Sequence, residues 1–412
     1  MTKFSCTIAL FFVLTQPCVH AQVDTFEGAR AFNLGAGENG LSFGNSPRHN
    51  GLRFNWSDRD IELINGFNFT LWKPAEQLSG TINGFALGIV APAAERINGI
   101  SLGGLAVVSN DLNGVSIGGL AVVTRGSGKG LNAGGLATVS QGGLIGLNLG
   151  GLAVVSQGGL AGLNFGGLAI VGKNSIAGVN VAGLACVTDG NLRGLSLASA
   201  ALVGKGDLSG ISVGGIACVT EGPMSGINIG GVACVSGGSM NGLNFGGLAL
   251  VAKGRLNGIN VGGLALVSEG SISFINLAGL AVVGMDGIKG ITVGGVGIVS
   301  KNDIAGLNIT LGDLRSDKPD DEISIRGFNI GGYRIRAKEI SGINISVAMT
   351  QADIAKGVMV GAYNRAYETQ RGISIGIFNH ATELFGIQIG VLNYAENNPK
   401  FFRMLPLMNF HF

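Results

Sequence analysis

Apolar and polar residues alternate one by one along most of the chain, break at a pair of glycines, and then alternate again. Ile227-Asn228-Ile229 leads into Gly230-Gly231, and Val232-Ala233-Cys234-Val235 follows. Alternation with a period of two predicts short strands. Helix is excluded, because three glycines in every sixteen residues would each cost about 1 kcal/mol in a helix interior.

The pattern repeats. Its opening Gly recurs at 114, 130, 146, 162, 178, 194, 210, 226, 242, 258, 290 and 306, and Phe274 fills the one missing slot. The period is sixteen residues, strict from 114 to 306, with irregular copies opening at Gly51, Gly66, Gly84 and Gly99 and looser ones at Gly327, Gly342, Gly357, Gly372 and Gly386. A fixed period of this size marks stacked or closed repeats, in which one unit cannot bury its own apolar surface. With the opener counted as position one, positions two and four are Leu, Ile, Val or Phe in nearly every unit, and most often Asn or Ser lies between them. Ala recurs at position eight from Ala106 to Ala281, and Val at position ten from Val108 to Val299. From 99 to 305 every charged residue falls in the last five positions, the expected solvated turn.

Two all-β architectures use such a unit. One is a β-solenoid of about twenty-two short coils, a rod on the order of 100 Å long at the strand spacing of a parallel sheet. The other is a transmembrane antiparallel β-barrel with one strand per unit. A barrel has unlike turns on its two rims, aromatic girdles and a polar lumen. The chain shows no two-unit superperiod, and its strict block has almost no Tyr or Trp. These features favour the solenoid. In a solenoid the Asn row at position three (Asn132, Asn148, Asn164, Asn180, Asn228, Asn244, Asn260) forms a side-chain ladder, or else a binding stripe. Neighbours in Leu-Ala-x-Val point opposite ways, so one apolar row faces outward, toward a partner or a membrane.

The organisation read from these signals starts with a signal peptide over 1–21, on Lys3, the apolar run Ile8 to Leu14 and the small-residue site Val19-His20-Ala21. An N-terminal cap over 22–65 and the Gly-rich repeat block over 66–312 follow. Then come an acidic loop over 313–326, looser repeats over 327–397 and a C-terminal aromatic strand or cap over 398–412. No stretch has the roughly 18 unbroken apolar residues of a spanning helix.

Composition narrows the chemistry. The 412 residues include 74 glycines and only 13% charged residues, with a net charge of +2. This balance argues against a nucleic-acid partner, which requires clustered Lys and Arg. Cys186, Cys218 and Cys234 all occupy position nine, as members of a packed row; stacked coils would bring Cys218 and Cys234 within disulfide range. His49, His380 and His411 have no Cys or Ser partner beside them, and His20 lies in the signal. Asp313, Asp317, Asp320, Asp321 and Glu322 lack EF-hand spacing and read as a solvated loop. Glycines such as Gly146 to Gly151 belong to the repeat rather than to a nucleotide loop. No catalytic, cofactor-binding or metal-binding residue is assigned, and no cofactor is expected.

Two features carry a resemblance. Met408, Phe410 and the terminal Phe412 alternate, which resembles the C-terminal assembly signal of outer-membrane barrels, although Pro406 suits a spanning strand poorly. The units G-L-N-F-G-G-L-A at 162–169 and G-I-Q-I-G-V-L-N-Y-A at 386–395, with the ending L-P-L-M-N-F-H-F, resemble bacterial surface-repeat proteins of spirochaetes and other Gram-negative bacteria. That resemblance implies an outer-membrane or cell-surface location and no established reaction. The expected function is a non-enzymatic scaffold or interaction surface, with an outer-membrane pore as the alternative. The expected partners are a protein, a polysaccharide or a membrane surface, or another copy through an apolar strand face.

Overall fold

The computed structural model describes residues 31–72, 77–316 and 323–412. The expected signal peptide over 1–21, residues 22–30 of the expected N-terminal cap and residues 317–322 of the expected acidic loop lie outside these segments.

Each unit of the strict block makes a long arm and a short arm, as in Leu144–Gly150 and Ala153–Ser156. Long arms stack on long arms in parallel and in register, with Gly146 between Gly130 and Gly162. Short arms do the same, with Ala153 between Ala137 and Ala169. Two ladders therefore climb the molecule together, one strand spacing per unit, and the chain is a β-solenoid of about twenty coils. The antiparallel barrel is not formed. Its strands would reverse at every turn, whereas here each polar turn returns the chain to the side it left, one coil higher.

Glycine builds the bends. The openers have positive φ, 117° at Gly146 and 111° at Gly162. A Cβ on Gly146 would run into the carbonyl oxygen of Gly130, one coil below. The paired glycines are equally constrained: a Cβ on Gly150 would meet the Ala153 carbonyl, and one on Gly151 the Gly135 carbonyl. The ladder continues across this bend, where the Leu152 amide donates to the Leu136 carbonyl at 2.7 Å. Ser or Thr at position eleven points inward and ties down the polar turn. The Ser156 hydroxyl, for instance, bonds the carbonyl oxygens of Gly142 at 3.0 Å and Gly159 at 2.8 Å.

The interior is narrow. Per coil it takes one large apolar side chain from position nine and one from position fifteen, such as Val154 and Leu160, together with the Asn of position three. The Asn132 amide donates to Asn148 at 2.9 Å, Asn148 to Asn164 at 2.8 Å, and Asn164 to Asn180 at 2.7 Å. A second run links Asn228, Asn244, Asn260 and Asn276 at 2.9 Å per step. Each amide replaces water with its neighbour, which makes burial of a polar row tolerable.

Both ends are closed. Phe32–Leu34 pairs antiparallel with Asn39–Phe43, the first rung of the parallel stack, and Met404–His411 folds back antiparallel on Gly386 to Tyr394. These strands cover ladder edges that would otherwise recruit other chains. In the first coils Arg53 takes the position-three slot. Its fully buried guanidinium donates to Asp58 at 2.9 Å and to Asn68 at 2.7 Å. Burial pulls the Arg53 pKa down, and the Asp58 carboxylate opposes that shift.

Candidate functional site

With the interior assigned, the surface follows from the pleat. On the long arm, positions two and four point outward, so the apolar residues flanking each buried Asn form the outer wall. On the short arm, positions eight and ten point outward, on either side of the buried ninth. Position seven, at the corner, is the most open: Leu152 is 46% exposed and Leu184 53%. Outward aliphatic rows therefore run the length of the strict block, on a scale that marks interaction surfaces rather than ordinary scattered apolar exposure.

Charge occupies one edge. The polar turns carry it, and oppositely charged residues pair between successive coils, as Lys205 does with Asp189 at 2.7 Å. That hydrogen bond raises the Lys205 pKa. The cross-section is thus amphipathic, with one charged edge and two aliphatic walls.

The residues singled out from the sequence take structural places. The Asn row is buried, so it is the ladder and not a surface stripe. Cys186, Cys218 and Cys234 are free thiols in the core row, with Cys218 and Cys234 in register on adjacent strands. Burial pushes the Cys186 thiol up to about 12, and the hydrogen bond with Cys218 together with burial raises that of Cys234. His49 is buried with Nε2 2.9 Å from the Gly40 carbonyl, His380 stands edge-on to Tyr394, and His411 contacts Asn398 at 2.7 Å. Asp313 accepts a hydrogen bond from Arg334 at 2.7 Å. Among the described residues no three His, Cys, Asp or Glu side chains group to hold a metal.

No family model, curated protein or solved structure matches the chain. The site therefore rests on its own geometry.

Three surface features were not legible in the sequence. The irregular N-terminal coils carry a second Asn ladder on the outside, Asn39, Asn50, Asn65, Asn83, Asn98 and Asn113, with steps of 2.8–3.0 Å. Its signal was the Asn before each early opener, as in Asn50-Gly51 and Asn65-Gly66. Beside it Phe67 stacks on Phe85 at 5.2 Å between centroids, and past the far end of the same strands Trp56 stacks on Trp72 at 6.0 Å. An open apolar groove of about 510 Å³ runs past Phe69, Leu87, Ile89, Leu102 and Ile117. It is the furrow between two outward rows, continuous with the walls rather than an enclosed pocket.

Proposed function

We propose that this chain is a non-enzymatic, exported rod that acts at the outer membrane or cell surface as a structural scaffold and interaction surface. The observation that carries this reading is the amphipathic cross-section of the strict block: aliphatic rows cover two walls, and charge there is confined to the turns. Such a surface suits extended contact with a protein, a polysaccharide or a membrane, because it offers many equivalent shallow contacts. The resemblance to surface-repeat proteins and the N-terminal export signal support the location.

Fractionation of expressing cells, with protease added to the intact cells, tests it. The expected result is a chain in the envelope fraction that is cleaved from outside. Recovery in the cytosol, or turnover of a polysaccharide or peptide that a single acidic substitution abolishes, would overturn the reading.

A further inference from the structure

We propose that a second copy of this chain packs antiparallel on the short-arm face, the wall built of Ala at position eight and Val at position ten, centred on Val203. This deepens the scaffold reading by naming one partner.

The argument starts from where the repeat varies. Position nine lies inside, yet it is Val107, Thr138, Ile170, Cys186 or Leu202 according to the coil, every one fully buried or nearly so. Positions eight and ten lie outside and half-buried, yet position eight is Ala from 106 to 281 and position ten is Val from 108 to 299. Close packing normally places the strict volume requirement in the core. Here the stricter requirement is outside, so it reflects what meets that wall. Acyl chains require only an apolar surface, and positions two and four, where Leu, Ile, Val and Phe exchange, fit that weaker demand. A wall of fixed shape repeating every strand spacing calls for a partner of the same period, and a second rod has that period.

Size and borders agree. The wall spans thirteen coils in its Val row and twelve in its Ala row, roughly 60 Å long and about 13 Å wide at ordinary strand spacing and rise, close to 800 Å² per partner. That matches the area of a standard stable interface, roughly 800 Å² a side. Beyond Val299 the same two columns become Asp313 with Arg315 and Arg334 with Arg336, in register on the ladder. In a parallel pair these Arg columns would stand opposite one another. An antiparallel pair sets them at opposite ends of the contact and makes Val203, the middle of the row, its own neighbour.

Single-cysteine variants of the full chain, treated in intact expressing cells with a short membrane-permeant bismaleimide, test the arrangement. Among the described residues the native thiols, Cys186, Cys218 and Cys234, are buried, and replacing Cys6 and Cys18 by Ser leaves the added thiol to report. Val203→Cys should form covalent dimers at least about tenfold more readily than Ile211→Cys on the long-arm wall, because thiols held together react at raised effective concentration. Val123→Cys should link only when co-expressed with Val283→Cys, its antiparallel counterpart. A protease-resistant, folded Val203→Cys chain that stays monomeric overturns the proposal, and is the result a lipid-covered wall would give. Self-linking of Val123→Cys as efficient as that of Val203→Cys also overturns it. Either failure leaves the location and scaffold role to be decided by fractionation.

Discussion

Phe274 is the one opener in the strict block that is not glycine, and it keeps the column's backbone at φ 82°. A side chain in that region costs about 1–2 kcal/mol. Phe274→Gly should therefore raise the unfolding temperature, as read by circular dichroism; a lowered temperature would mean that the 60% exposed ring contributes more than its backbone costs. Asn164 bonds both Asn148 and Asn180, so Asn164→Ala leaves two buried amides short of a partner and should cost at least about 2 kcal/mol. Denaturant titration checks this, and a loss below half that size would show that the ladder is incidental. Cys186 adds a pH dependence. Its thiol is held up from 9.0 to about 12, so only the unfolded chain releases this proton between those values. Protons bound by the folded state alone mean that stability falls as pH rises through that window, and Cys186→Val should remove part of the fall. The Asn row was legible in the sequence as a ladder. Its inward direction was not, because alternation fixes which residues share a face and not which face is buried.

At the scale of the element, the strict coil takes up changes of length in its polar turn. The ladder stays in register from Gly306 to Gly327 across the acidic segment, with Asn308 bonded to Asn329 at 2.8 Å, although the strict spacing is sixteen. A four-residue Gly/Ser insertion after Gln157, in the same polar turn, should therefore leave the unfolding temperature nearly unchanged. The same insertion between Gly150 and Gly151 should abolish the cooperative transition, since both glycines fit against neighbouring backbone. Equal tolerance at the two sites would contradict the bend assignment. The two arms and the turn were legible from glycine, alternation and charge placement. The buried Arg53–Asp58 pair was not, because Arg53 stands in a slot where later coils have Asn or Ser, and an Arg in an irregular first coil reads as surface.

For the whole molecule, the sequence allowed two closures of one repeat, and its C-terminal Met408, Phe410 and Phe412 pointed toward the barrel. In the fold that alternation closes the last coil, as Met404–His411 pairs back on the preceding strand. What separated the alternatives was the direction of neighbouring strands, which no single unit encodes. Linear stacking is also the basis of the long aliphatic walls, so the functional reading depends on it. The most direct test is pulsed electron paramagnetic resonance on spin labels in the exposed turns, diluted with unlabelled chain. Gln141 and Glu221 lie five units apart and Gln141 and Lys301 ten. Stacked coils predict separations of about 24 Å and about 48 Å, doubling with the number of units. A second distance equal to or shorter than the first would mean a chain closed on itself and would contradict the account.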